Sequence, residues 1–464
     1  MQDTPRQQLT LFDSTCLIVG IIIGAGIYEV APMVAAGTSH AWGFLLIWVV
    51  GGLLSLCGAL GYAELASAYP HEGGDYVYLN RAYGRWAGFL FGWIQLVVVR
   101  PGDIVGMAFI FATYATALYD PFGGATVPYH LLPWEVYQNA DVALCQIVYA
   151  ALAVVILTAI NVIGVNQGKW TQNLLTAVKA VGLLGIVAVA LMAGPSLTVT
   201  KPSFEPLPLG LALILVLFAF GGWNEMAYVA AEVKDSRRNI VRALVLGTGA
   251  VTLLYLLVNG AFLYALGYAG VAQSSAVATD TVSAVFPRVG AGLISGLVCI
   301  SALGATNGLI FTGARISYAL GADHRAFRLL GRWNAGTGTP VLALVTQGLI
   351  ALVLIAALGS FVNAILYTAA VVYSFYLATN VAVIVLRIKE PQAERPYRVS
   401  GFPLTTLVFC GVCGYLIYRA IDYKPEVATV GLVILLLGLP IYWLMPKDRN
   451  PAAEGPGDAT RPGE

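Results

Sequence analysis

Long apolar runs, each about the length needed to cross a bilayer, alternate with short polar connections along almost the whole chain. At about 20 residues per crossing, the hydropathy predicts twelve helical segments: 15–37, 43–68, 84–117, 141–164, 170–194, 207–233, 241–268, 279–320, 340–359, 361–388, 402–421 and 426–445. The third and eighth are long enough to be strongly tilted or to carry turns outside the membrane. Two of the runs are interrupted by glycine, at Gly24-Ala25-Gly26 in the first and Gly221-Gly222 in the sixth. A break inside a bilayer survives only where protein or a bound solute satisfies the freed backbone groups. Two breaks at matching positions of two halves point to the substrate site of a secondary transporter.

Segments one to five and six to ten would form those halves, at 15–194 and 207–388. An odd number of spans in each forces opposite topology on the two, which is an inverted repeat. Segments eleven and twelve, 402–445, lie outside it and serve packing or dimerisation. Residues 1–14 read as a cytoplasmic N-terminus and 446–464, rich in Pro, Gly and charge, as a disordered cytoplasmic tail. All but six of the 25 Lys and Arg residues then fall on the cytoplasmic side: Lys201, Arg288, Arg419 and Lys424 lie outside, and Arg100 and Lys179 lie within spans. That bias predicts both termini in the cytoplasm.

Composition narrows the class further. With 58% hydrophobic and 11% charged residues and a mean hydropathy of +0.78, the 464 residues are those of an all-α polytopic membrane protein. A net charge of +1 and the lack of a basic arm exclude nucleic acid as an expected partner. The first apolar segment runs past signal-peptide length and reads as a retained span. Cys16, Cys57, Cys145, Cys299, Cys410 and Cys413 all sit in or beside apolar stretches, so helix packing is expected of them, not metal or disulfide chemistry. His40, His71, His130 and His324 fall in predicted loops, and the metalloprotease, serine-hydrolase and Walker A patterns are missing. Neither an enzyme nor an ATP-driven pump is expected, and no cofactor or metal is implied.

The breaks have a polarity of their own. Gly24, Ala25 and Gly26 let a ligand approach the main chain. A half-helix starting near Ile27 presents unpaired N–H groups and the positive end of its dipole, which suit a carboxylate. Carbonyls left free near Ile22 and Ile23 suit an ammonium. An α-amino acid carries both groups. The alternative for Gly20-x-x-x-Gly24 alone is a small-residue packing face in an unbroken helix.

Gly24-Ala25-Gly26-Ile27-Tyr28 resembles a signature of the amino acid-polyamine-organocation superfamily. Phe218-Ala219-Phe220-Gly221-Gly222-Trp223-Asn224 resembles the sixth-span signature of its L-type amino acid transporter branch. Tyr62-Ala63-Glu64-Leu65, Gly73-Gly74-Asp75-Tyr76, Arg100-Pro101, Thr176-Ala177-Val178-Lys179, Gly304-Ala305-Thr306-Asn307-Gly308 and Glu394-Arg395-Pro396 extend the likeness through about residues 10–400. The resemblance implies a twelve-helix, five-plus-five inverted repeat with substrate between the first and sixth helices. By it, N–H groups of Gly24, Ala25, Gly26 and Ile27 would hold the substrate carboxylate, and carbonyls of Ile22, Phe218 and Gly221 its ammonium. Phe218 corresponds to an aromatic lid, Asn224 steadies the broken helix, and Phe220, Gly222 and Trp223 border the pocket. In the eukaryotic L-type branch a heavy subunit attaches through a cysteine after the third span. The corresponding loop here, 120–138, has none, so no disulfide-linked partner is expected.

The intramembrane charges sharpen the picture. Lys179 lies mid-span, where an ammonium costs about 2.5–3.5 kcal/mol on insertion scales. By resemblance it replaces a coupling sodium ion, bridging the first and eighth spans near Gly20 to Gly24 and Ser301. A proton carrier and a fixed structural charge are both open to it. Arg100 is expected to pair with Asp103, three residues along the same helical face, with a role in gating as the alternative. Glu64 and Glu232, at cytoplasmic span ends, read as solvated or gate-pairing groups. Glu29 and Glu225 each follow a break, where most relatives carry small, aromatic or neutral residues. The helix dipole favours them there. Functionally, a protonated or paired Glu225 would face the substrate side chain. The expectation is a carrier of L-amino acids in the plasma membrane, proton-linked or exchanging. A carrier of cationic amino acids or polyamines, with Glu29 and Glu225 among the gate and pocket residues, and a non-transporting amino acid sensor are the alternatives.

Overall fold

The computed structural model describes residues 7–24, 26–127, 142–195, 209–274, 276–358, 361–423 and 425–445. Ala25, the side chain of Glu29, most of the 120–138 loop and the 446–464 tail lie outside the described residues.

Helix α1 (Leu11–Ile22) opens on a capping box in which Thr10 and Asp13 satisfy each other's backbone N–H groups. It stops at Ile23, and the chain resumes as the short helices α2 (Gly26–Glu29) and α3 (Ala31–Ala36). The first segment is therefore broken where its glycines predict. Helix α4 (Ala41–Ala68) is followed by α5 (Asp75–Tyr83), entered through the left-handed Gly73 and Gly74. Next come α6 (Arg85–Ile94), a π-helical turn (Gln95–Val99) and α7 (Arg100–Leu118), one continuous rod for the third segment. A two-residue antiparallel ladder, β1 (Thr126–Val127) with β2 (Val142–Ala143), closes the loop before α8 (Leu144–Ile163) and α9 (Val165–Ala193).

The sixth segment is also broken. Helix α10 (Leu209–Ala219) ends in a turn at Phe220–Gly222 and resumes as a 3-10 helix (Trp223–Glu232). Helix α11 (Ser236–Gln273) follows. The predicted eighth segment, 279–320, is two elements, α12 (Val277–Ser283) and α13 (Gly290–Asp323), separated by a turn at Pro287. Proline lacks the N–H that would continue the ladder. Helices α14 (Val341–Leu358), α15 (Phe361–Lys389), α16 (Leu404–Tyr423) and α17 (Pro425–Leu444) complete the chain.

Among the described residues, eight of these rods are long and apolar enough to cross a membrane, and four shorter apolar helices accompany them. The chain is a multi-pass, all-α membrane protein. Burial separates inner from outer rods: the most apolar window of α6–α7 is 72% buried and that of α13 is 67%, against 28% for α8 and α9. Helix α13 can sit at the centre because small residues thin it. A β-carbon on Gly308 would come within 2.3 Å of Ile21 Cγ1, and one on Gly313 within 2.4 Å of Arg100 Cγ. The strand-like entry to α1 then ties the two broken segments together, because Gln8 and Leu9 donate to the Glu232 carbonyl at 2.8 Å and Lys234 donates to that of Leu9.

Candidate substrate site

The two breaks meet. Gly222 sits in the left-handed region (φ 106°), and a β-carbon there would lie 2.6 Å from Ile21 Cγ2. Only glycine meets both demands. From the other side, a β-carbon on Gly26 would lie 3.2 Å from Ala219 Cα. Buried Tyr255 of α11 bridges the two ends. Its Oη is 2.9 Å from the Ile22 carbonyl and 3.2 Å from that of Ala219, so one proton is shared between the broken helices.

Main-chain groups at this junction are partly spent. Gly24 donates to the Ile22 carbonyl at 2.7 Å, so that oxygen accepts twice, and Gly221 donates to the Phe218 carbonyl at 2.9 Å. The N–H groups of Gly26 and Ile27, first in α2, have no acceptor among the described residues. Phe218, Gly221 and Gly222 keep some accessible surface. Phe220 and Trp223 are buried in aromatic packing, Phe220 between Trp48 and Tyr255 and Trp223 edge-on to Tyr62.

Lys179 is fully buried on α9 and reaches across to α1. Its Nζ donates to the carbonyls of Gly20 and, at 2.8 Å, Ile23, and the Ser301 hydroxyl lies 3.0 Å from the Ile23 carbonyl and 3.1 Å from that of Gly24. These are the carbonyls that the first break frees. Room for the ammonium comes from Gly304, where a β-carbon would lie 2.5 Å from Lys179 Cε.

Asn224 donates to Tyr228 Oη (2.7 Å) and accepts from Tyr376 (3.0 Å). Tyr228 in turn donates to buried Asp75 (2.8 Å), which also accepts from Tyr62 and Thr379. Sequence reasoning quoted Asp75 only as part of a motif and missed this hub of α4, α5, the 3-10 helix and α15. The left-handed Gly-Gly pair before it was the available signal.

The expected Arg100–Asp103 pair does not form. Arg100 Nη1 instead lies 2.9 and 3.0 Å from the two carboxylate oxygens of Glu225, and the Thr312 hydroxyl also donates to Glu225. Both partners are almost wholly buried, so each charge requires the other. Spacing along one helix brings Asp103 near, but the fold brings Glu225 to the guanidinium. Nor are Glu64 and Glu232 solvated: each is 1% exposed. Glu64 takes Arg387 at 2.5 Å and Arg395 at 3.5 Å, and Glu232 takes Arg315 at 2.7 Å. Among the described residues no group of His, Cys, Asp and Glu could hold a metal ion.

The profile of the amino acid permease family matches residues 9–445. The b(0,+)-type amino acid transporter 1 of Mus musculus is 30% identical over 451 residues, covering 95% of this chain and 88% of that protein. The large neutral amino acids transporter small subunit 2 of Mus musculus is 30% identical over 450 residues, covering 95% and 81%. Likeness to the human b(0,+)-type transporter is also 30%, over 454 residues. Since both breaks, the buried lysine and every ion pair at the junction fall within the matched stretch, the chain belongs to the amino acid permease family.

Proposed function

We propose that this permease is a secondary carrier, not an enzyme, that moves L-amino acids across the plasma membrane by alternating access. The observation that carries the reading is the junction of two broken helices with unspent N–H groups at Gly26 and Ile27 on one side and the Phe218 and Gly221 carbonyls on the other. The carboxylate would sit on the first set and the ammonium on the second, with Phe218 as the lid. Because the Ile22 carbonyl already accepts from Gly24 and Tyr255, it contributes least to the ammonium. The names of the relatives, transporters of amino acids, support the same substrate class. Both termini would be cytoplasmic, the first ten spans forming a five-plus-five inverted repeat and the last two lying outside it.

Glu225 is bound up with Arg100 and offers no free charge to a cationic side chain. That observation favours the general amino acid reading over a polyamine carrier. One relative is named a small subunit; with no cysteine in the 120–138 loop, this chain would work without a disulfide-linked partner. Counterflow in proteoliposomes tests the function: vesicles preloaded with an unlabelled L-amino acid should transiently accumulate the same labelled amino acid from outside. Tight binding without counterflow across a panel of L-amino acids would make the protein a sensor and reject the carrier.

A further inference from the structure

Pro101 has no N–H to give to the carbonyl four residues back, and the ladder before it widens to a π-turn in which the Arg100 N–H reaches the Gln95 carbonyl. The turn sets which face of α7 looks inward. From Arg100 to Ile110 every residue is buried except Asp103 and Met107, which stand one turn apart on the same face. Met107 locates that face, because a β-carbon on Gly24 would lie 3.3 Å from its Cε. The accessible side of α7 therefore borders the first break, and Phe218, Gly221 and Gly222 keep accessible surface at the second.

Charge is unbalanced there. Arg100 and Glu225 cancel, and Asp103 leaves one negative charge over. The other charges described inside the bundle are satisfied: Lys179 by two carbonyls, Asp75 by three hydroxyls, Glu64 and Glu232 by arginines. Asp103 has neither a hydrogen bond nor an ion pair within 4.0 Å among the described residues. The groups facing it are Arg100 on its own helix, Glu225 on the 3-10 helix and Tyr376 on α15. Helices α8, α13 and α14 turn no carboxylate or cation toward it among the described residues. A lone carboxylate in a membrane interior is costly unless it is neutralised, and such groups mark ion and proton pathways.

We propose that Asp103 is the proton-binding site of the carrier. The proton passes from water in the outward-open cavity to a carboxylate oxygen of Asp103. It brings the Arg100–Glu225–Asp103 cluster to zero net charge and lets the bundle close over a zwitterionic amino acid, and it leaves to water on the other side. Lys179 is the static cation of the site: it has no accessible surface, and without its proton-bearing ammonium the carbonyls of Gly20 and Ile23 would lose their donor. The inference rests on the carrier reading above.

The test uses the full chain in proteoliposomes with a pH-sensitive dye inside and the labelled amino acid that gives counterflow. Wild type should accumulate the amino acid above equilibrium when the outside is acid, with internal acidification. D103N should lose both, and its counterflow should become flat with pH. D103E, which restores the carboxylate, should recover the pH dependence. Because D103N could fail to fold, wild type alone supplies a second readout: calorimetry of substrate binding in buffers of different ionisation heat should show one proton taken up per substrate. Wild-type counterflow without proton movement overturns the proposal and leaves the carrier intact. Absence of counterflow rejects both. Retained pH dependence in D103N, with or without a changed order of competing amino acids, also overturns it.

Discussion

Removing one partner of the Arg100–Glu225 pair is the sharpest perturbation the fold offers. The side chains are 3% and 6% exposed, so water screens neither charge. R100M leaves a carboxylate buried with only the Thr312 hydroxyl as donor. Breaking a buried pair in this way costs about 3–5 kcal/mol, and the Thr312 hydrogen bond, already made in the intact protein, offsets none of it. We expect a loss of at least about 3 kcal/mol, a hundredfold or greater drop in the folded-to-unfolded ratio. E225Q should cost less, because Asp103 lies one turn from the freed guanidinium. R100M/E225M should recover most of the loss, since replacing both members of a buried pair with apolar groups is often neutral. Reversible denaturation with SDS in mixed micelles, followed by tryptophan fluorescence, measures all three. Additive single losses, each below about 1 kcal/mol, would be the behaviour of an exposed pair and would refute the buried geometry.

Three further outcomes are expected. G222A forces a β-carbon onto a left-handed residue and into Ile21 Cγ2 at 2.6 Å; the backbone alone costs about 1–2 kcal/mol, so counterflow and expression should both fall. G185A, where a β-carbon meets nothing within 4 Å, should match wild type in the same assays. Glu72, in the connection between α4 and α5, has a buried Oε1 without a hydrogen-bond partner, and burial pushes its carboxyl up to about 7. The folded protein then binds more protons than the unfolded one between the ordinary value of 4.5 and about 7. Stability from this group is present at low pH and is lost as pH rises through that window. Melting temperature should therefore decline with pH across it, and E72Q should flatten the profile.

Much of the molecule was legible along the chain, because hydropathy and glycine placement act locally. A run of about 20 apolar residues must cross a bilayer whatever surrounds it. Gly222 announced a break because the backbone turn there admits no side chain. Lys179 stood out because an ammonium inside a span needs partners, and the carbonyls beside the Gly24 break are among the few groups that could supply them. The length of the eighth segment allows turns outside the membrane, but hydropathy does not place the one at Pro287, because the short helix before it and the long helix after it form one apolar run.

Spacing failed where partner choice depended on packing. Asp103 is three residues from Arg100 and Glu225 is 125 away, yet Glu225 is the partner. Glu64 and Arg387 are separated by 323 positions. No periodicity reports which helices lie together. That is decided by close approach at small residues such as Gly304, Gly308 and Gly313 on α13, which let Lys179, Ile21 and Arg100 press against the central helix. The sequence by itself thus determined that the chain spans a membrane, where its helices break and which charges had to be neutralised. Only the tertiary structure decided which charge neutralises which, and which one is left over at Asp103, because electrostatic energy depends on distance in space and the chain constrains that distance only over a turn or two.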